Sequence, residues 1–423
     1  MEMITPPSSQ TYVKLLRREV ILPLTPPSER VLQQEDEKKG IKTKAKRKPK
    51  LKYRPPNGTV LNISTFDDSV SIIEQDDNID YEDVSFLHYA IKHSKKVTVV
   101  TGAGISVASG IPDFRSSNGL FQGLKSATSS GSTGKALFDS NVYRDEESTA
   151  KFHAMIRQLH TLTEESEATD FHHMLNNISE EGRLLRLYTQ NIDCLETSLP
   201  NLQTTVPIKS KPPYPPTIQL HGTIKYMYCS KCRWNSEIQP EIFNSNQAPA
   251  CPECTELDEI RTIAGKRSQG IGCLRPRIVL YNEFHPDGEH IGQVSTLDLK
   301  SKPDCLIIAG TSLKIPGVRK LVRELARAVH AAKGCVIWMN TDEPSISIVD
   351  FVEYIDMIVV GDCQDIPKVK KEESDKSSRP VKSPKKQSRV TKPNPQTKKS
   401  KSKKDTKIQS RLEELVTKIN EAK

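Results

Sequence analysis

Short apolar runs, each closed by a small or polar turn, recur through the middle of the chain. They are Val97–Val100, Leu184–Tyr188, Ile218–Leu220, Leu274–Leu280, Cys305–Ala309, Val336–Met339 and Ile358–Val360. Most are apolar without alternation, as expected of strands buried on both faces. Between them apolar residues fall at helical spacing: Phe86, Leu87, Ala90 and Ile91; Phe152, Met155, Ile156, Leu159 and Leu162; Phe171, Met174 and Leu175; and Val318 to His330. This alternation predicts an α/β fold on a doubly wound, Rossmann-like parallel sheet, with the run from Leu274 in its second half. Ligands bind such sheets at the carboxyl ends of the strands, so the turns are where chemistry is expected.

The flanks have a different texture. Residues 1–80 and 366–423 are rich in charge and proline and poor in aromatics, which predicts disordered basic tails around a folded domain at 81–365. Hydrophobic residues make up 35% of the 423, a lean value that agrees with this division. The net charge of +9 lies mainly in the ends and suits an acidic partner such as DNA or chromatin, although a solubilising tail has the same composition. Lys42–Lys52 reads as a nuclear-localisation cluster, a nucleic-acid patch or a solvated linker. Thr25 and Ser383 sit in proline-directed phosphorylation motifs, and Ile408, Leu412, Leu415, Val416 and Ile419 stripe one face of a short terminal helix. No run of eighteen apolar residues occurs, so no membrane span is expected, and Met1-Glu2-Met3 does not begin a secretory signal.

Candidate chemistry starts at the turn after Val97–Val100. Gly102-Ala103-Gly104 lets the backbone approach a pyrophosphate, with the N–H groups of a following helix facing the anion. The dinucleotide fingerprint is incomplete, since Val107 stands at its third glycine, and such a turn is also an ordinary strand-to-helix connection. An acid, an aromatic and an arginine come next at Asp113, Phe114 and Arg115. Thr189-Gln190-Asn191-Ile192-Asp193 closes the second strand, where Asn191 and Asp193 suit either a helix cap or a ligand. His221, before Gly222, is a general-base candidate because imidazole titrates near neutrality, though a single histidine is more often structural. Gly310-Thr311-Ser312 suits a phosphate or ribose, and Asn340 and Asp342 suit a ribose.

Four of the nine cysteines form two Cys-x-x-Cys pairs, Cys229/Cys232 and Cys251/Cys254, separated by eighteen residues. That is zinc-ribbon spacing, in a module expected at about residues 223–272. Four thiolates close the coordination sphere, so the Zn²⁺ is expected to be structural and not the open centre of a metal hydrolase. Free thiols elsewhere point to a reducing compartment, with Cys273, Cys305, Cys335 and Cys363 expected as buried. Ser126–Lys135 and Pro200–Pro216 read as surface loops.

Taken in order, Gly102–Ser106, Gly110–Arg115, Thr189–Asp193, His221-Gly222, the paired cysteines, Gly310–Ser312 and Gly361–Cys363 resemble the signature of the sirtuins, the NAD-dependent protein lysine deacylases, over about residues 86–364. The resemblance implies NAD as co-substrate, its pyrophosphate on Gly102 and Gly104, with Ala103 and Ile105 also among the cofactor contacts. A loop with Asp113, Phe114 and Arg115 would close over the nicotinamide half, and Gln190, Asn191, Ile192 and Asp193 would contact the ribose, the reacting water and the nicotinamide amide. Gly310, Thr311, Ser312, Asn340, Thr341, Asp342 and Cys363 would surround the adenosine half. Phe114, Val279, Leu280, Tyr281, Asn282 and Glu283 would meet the substrate, the segment pairing main chain to main chain with an extended peptide. His221 is implied as the base that draws a proton from a ribose hydroxyl, the products being free lysine, nicotinamide and O-acetyl-ADP-ribose. Ile271–Glu283 looks closest to the fungal nuclear sirtuins that deacetylate histone H3, which implies an acetylated-histone substrate, a nuclear location and a part in chromatin silencing and genome maintenance. ADP-ribosyl transfer and a non-catalytic chromatin-binding module are the alternatives. Segments 124–150 and 200–217 are expected as inserts that depart from the compact family core.

Overall fold

The computed structural model describes residues 49–63, 81–113, 136–344 and 349–368. Phe114, Arg115, Thr25, Ser383, Ser126–Lys135 and the terminal apolar stripe lie outside them. In chain order the strands are β1 (Thr59–Asn62), β2 (Val97–Thr101), β3 (Leu184–Thr189), β4 (Thr217–Gln219), β5 (Gly222–Cys229), β6 (Asn235–Glu237), β7 (Leu274–Ile278), β8 (Cys305–Ala309), β9 (Cys335–Asn340) and β10 (Met357–Val360). The helices used below are α1 (Tyr81–His93), α2 (Glu146–Glu165), α3 (Asp170–Glu180), α4 (Leu195–Ser198), α5 (Pro252–Ile263), α6 (Gly288–Lys300) and α7 (Pro316–Ala331).

Seven strands form one sheet in the order β1-β10-β9-β8-β2-β3-β4, and every neighbouring pair is parallel. All residues of β2 and β8 are buried, as their uninterrupted apolar character requires. Val97, Val99 and Ile307 pack against Phe86 and Leu87 of α1 and Phe171 and Leu175 of α3 on one face. On the other, Val100, Ile308 and Trp338 meet Val322, Leu325 and Val329 of α7. The chain runs outward from β2 to β3 and β4, and the opposite way from β8 to β9 and β10. That reversal opens a crevice at the carboxyl ends of β2 and β8.

Folded structure begins before residue 81, the expected boundary. β1 extends the sheet at β10, Tyr53 donates to Asp83 at 2.9 Å, and Arg54 pairs with the buried Asp356 at 2.8 Å. Pro200–Pro216 is likewise more than a surface loop, because Leu202 and Ile208 are buried on opposite faces of the sheet.

The second sheet is small, antiparallel and ordered β6-β5-β7. It claims β7, which the pattern from Leu274 had assigned to the parallel sheet. Pro276 lacks an N–H for a central ladder and is tolerated at this edge. Arg275 and Arg277 need acidic partners, which they find in Glu283 at 2.7 Å and Asp287 at 2.9 Å. The module's interior joins Ile224, Met227 and Phe243 to Phe152 and Ile156 of α2 and to Phe138 and Val142. From residue 136 onward, therefore, the segment expected as an insert is part of a core.

Candidate active site and metal centre

A cleft of about 780 Å³ crosses the carboxyl ends of β2, β3, β8, β9 and β10 and reaches the end of β7. Gly102, Ala103, Gly104 and Asp113 line it after β2, and Gln190, Asn191 and Ile192 after β3. Gly310, Thr311 and Ser312 follow β8, Asn340, Thr341 and Asp342 close β9, and Cys363 follows β10. His221 stands across from these with Val279, Leu280, Tyr281, Asn282 and Glu283. Among the described residues, two expected contacts are not in the lining: Ile105 is wholly buried in the core, and Asp193 is buried as well. Lys314 and Ile315 line the cleft without having been singled out in the sequence.

The two glycines also meet a packing requirement. Gly102 N–H donates to Ala309 O at 3.1 Å, at the end of β8, and Gly104 N–H to Gly310 O at 3.0 Å, in the turn that follows. A Cβ on Gly102 would lie 2.7 Å from Gly310 O, and one on Gly104 2.8 Å from Gly310 Cα. Close approach of two turns, one from each half of the sheet, excludes any side chain there. A pair of 3₁₀ turns, Ala103–Ile105 and Val107–Ser109, then stands in place of the expected helix.

Below the cleft, a polar network holds Asn191. Its main-chain N–H donates to Thr189 Oγ1 at 3.0 Å, and its Nδ2 donates to Ser106 Oγ and to Glu196 Oε1, both at 3.3 Å. Asn191 Oδ1 is left buried with no partner among the described residues. Asp193 Oδ1 accepts from Leu195 N at 3.1 Å at the start of α4, although the cap position itself belongs to Cys194, in a left-handed conformation. Burial first, and then the nearby Glu196 carboxyl, push the Asp193 carboxyl up. Burial also pushes the His172 imidazole down to about 4, although Asp193 opposes the shift. Glu196 itself was missed in the sequence, as was Cys194, whose Sγ lies 2.9 Å from Thr223 Oγ1.

His221 Nδ1 lies 3.0 Å from the Gln190 carbonyl, which calls for a proton on that nitrogen and makes Nε2 the basic one. Gln190 is itself tied down, its Nε2 donating to Thr311 Oγ1 at 2.8 Å and Thr101 O at 3.0 Å. The opposite wall hangs on the same histidine, because Val279 N–H donates to His221 O at 3.0 Å. Tyr281 is already paired: its N–H donates to Phe138 O at 2.6 Å and its carbonyl accepts from Ser140 N at 3.1 Å. The Tyr281 N–H is thereby taken, while its carbonyl keeps a second lone pair. Asn282 adopts a left-handed φ of 66° and donates from Nδ2 to Asp139 Oδ2 at 2.7 Å.

The four paired cysteines converge. Their sulfur atoms all lie within 4.8 Å of one another, with Cys229 to Cys254 and Cys232 to Cys251 each at 3.7 Å. A tetrahedron with Zn–S bonds of ~2.3 Å has edges of about 3.8 Å, so the thiols fit Zn²⁺. Cys305, Cys335 and Cys363 are buried as expected, but Cys273 is exposed. Its neighbour Leu274 points inward, and alternation along an extended chain turns Cys273 out.

The Sir2 family model matches residues 102–317. NAD-dependent histone deacetylase HST4 of Saccharomyces cerevisiae is 43% identical over 376 residues, covering 83% of this chain and 99% of that protein. NAD-dependent protein deacetylase hst4 of Schizosaccharomyces pombe is 53% identical over 282 residues, 67% of each chain. The crystal structure of a Sir2 homolog–NAD complex aligns with 67% of this chain and 91% of its own, at 21% identity and a TM-score of 0.49. A match that runs through nearly the whole of one relative, at such identity, leaves no doubt of descent: the chain belongs to the Sir2 family.

Proposed function

We propose that this chain is an NAD-dependent protein deacetylase that acts on acetylated histones, histone H3 foremost, in the nucleus. Bound across the crevice, NAD supplies an activated ribose that accepts the acetyl group as nicotinamide leaves. The cleft suits such a ligand: it is large, it follows five strand ends, and Asn191 offers it an unpartnered buried acceptor. Asn340, the last residue of β9, and Asp342 just beyond it hold ribose hydroxyls, a role that their position in the cleft lining supports.

One observation carries the reading. His221 lines the cleft with Val279 and Gln190, and its Nδ1, 3.0 Å from the Gln190 carbonyl, leaves Nε2 as the basic nitrogen. There it takes a proton from a hydroxyl of the acceptor. Asn191 Oδ1 accepts a hydrogen bond from the reacting water. Asp193, held towards its protonated form by burial, donates to and accepts from the nicotinamide amide. Val279, Leu280, Asn282 and Glu283 flank the acetyl-lysine together with Phe114, and Arg115 steadies the loop over the cofactor. The zinc has a structural role, since four thiolates occupy every position of its sphere. The basic ends of the chain contact chromatin or DNA.

The test incubates the purified full-length chain with NAD and acetylated histones, reading lost acetyl groups by mass spectrometry beside released nicotinamide. Equal amounts are expected, with H3 losing acetyl groups fastest and His221→Ala slowing the reaction about 100-fold or more. Acetyl loss that persists once NAD is removed, or a wild-type rate in the variant, overturns the assignment. Nicotinamide release that needs no acetylated substrate points to ADP-ribosyl transfer instead.

A further inference from the structure

Beneath the crevice lies an acid that the proposed reaction does not use. Glu196, in the first turn of α4, is completely buried. Its Oε1 accepts from Thr189 Oγ1 at 2.6 Å, from Asn191 Nδ2 at 3.3 Å and, more weakly, from Thr101 Oγ1 at 3.4 Å. Its Oε2 is buried with no partner among the described residues. A half-satisfied carboxyl removed from water is a poor way to stabilise a fold, and an apolar side chain of similar size would fill the space at less cost. Its presence calls for a different explanation.

Asn191 supplies one. An asparagine amide can sit either way round, with its oxygen and its NH₂ exchanged. The Ser106 hydroxyl, on one side of it, can donate or accept; its other partner is the Asp193 carboxyl, and a hydroxyl that donates there accepts from Asn191 and favours the same orientation as Glu196. Glu196 Oε1 already receives the Thr189 hydroxyl and acts only as an acceptor, so it selects the NH₂ end of Asn191. The amide oxygen is thereby left over, buried, on a residue that lines the cleft. Glu196 also reaches the Asn191 main chain, because the Thr189 hydroxyl that it holds accepts from Asn191 N–H.

We propose that Glu196 is a positioning residue for deacetylation, fixing the Asn191 amide so that Oδ1 is the end presented to the reacting water or ribose hydroxyl. It acts through Asn191 and Thr189 and does not touch substrate. The inference rests on the assignment of Asn191 to the reaction.

Glu196→Gln keeps the shape and brings a donor that lets Asn191 turn over. The full-length variant should lose about 10-fold or more in kcat. KM for NAD should stay within about threefold, since the defect lies in presenting the reacting group and not in binding the dinucleotide. The decisive readout is a double-mutant cycle: Glu196→Gln combined with Asn191→Ala should be no slower than Asn191→Ala alone. Losses that multiply, or a wild-type kcat in Glu196→Gln beside a crippled Asn191→Ala, overturn the role of Glu196. Full activity in Asn191→Ala removes the parent assignment, and this inference with it. Should Glu196→Gln not fold, Thr189→Val, which severs the link from the carboxyl to the Asn191 main chain, enters the same cycle. Its loss must again be absorbed by Asn191→Ala, and a multiplied loss overturns the proposal.

Discussion

The parallel sheet and the zinc module both bury a few short strands, but by different means. Strands β2 and β8 are covered on both faces, and side chains as large as Trp338 and Tyr188 are sealed between the sheet and its helices. Packing alone accounts for that. The module has three strands, two of them only three and five residues long, and β5 exposes part of its length. Its interior leans on α2 and on the segment around Phe138, and three of its buried side chains are the thiols of Cys229, Cys251 and Cys254. So small a core supplies little stability by itself, and a bound metal makes up the difference. The module nevertheless frames the reaction: His221 immediately precedes β5, and Val279–Glu283 follow β7.

The largest expected effect separates the two regions by removing the metal. Structural zinc contributes on the order of 10 kcal/mol to small thiolate-ligated domains. Chelation, or Cys251→Ser, should release one zinc per chain and abolish deacetylation. Amides of β5, β6 and β7 should then exchange rapidly in a hydrogen-exchange experiment while those of β2, β8 and β9 stay protected. Simultaneous loss of protection in both sheets would show that the parallel sheet has no stability of its own.

The same contrast explains what could be read from the chain. Val97–Val100, Cys305–Ala309 and Val336–Met339 are visible in isolation because a strand buried on both faces must be apolar throughout. The paired cysteines are visible because a metal dictates its ligands and their spacing. β1 was not, having four residues of which only Leu61 is buried, among prolines and lysines. Its partner, β10, begins at Met357, and no local pattern carries so distant a pairing. Glu196 was invisible for another reason: an acid in the first turn of a helix is ordinary on any surface. Its burial depends on Thr101 and Thr189, which lie in different strands. Glycines 102 and 104 were recognised, but the turn after β8 that crowds them belongs to a segment two hundred residues away, so the packing that excludes a side chain there was not legible locally.

A smaller effect is expected at the seam where the chain leaves one region for the other. Gly222 has a φ of +80°, and a Cβ there would sit 2.1 Å from Arg277 O, a main-chain atom of β7 that cannot step aside. Gly222→Ala should cost about 3 kcal/mol through backbone strain and overpacking together. It should also slow catalysis by displacing His221. Calorimetry of the zinc-loaded protein measures the first effect and single-turnover deacetylation the second. An unchanged Tm would mean that β5 and β7 part easily, making the seam a hinge and not a weld.

The smallest effect is expected on the outer face of the module. Leu257, Ile260 and Ile263 of α5 are 52%, 54% and 88% exposed, at a spacing that lines them up along one side of the helix. If the metal and the shared interior hold the module together, these side chains contribute almost nothing, for a group already in water has no burial to lose. Ile263→Ser should then change the unfolding free energy by less than about 0.5 kcal/mol, with zinc content and kcat unaltered. Urea titration of the two proteins at matched zinc loading is sensitive enough to decide. A loss above about 1 kcal/mol would mean that this stripe is covered in solution. The module would then owe part of its stability to packing after all, and the division between a sheet held by burial and a module held by metal would have to be redrawn at α5.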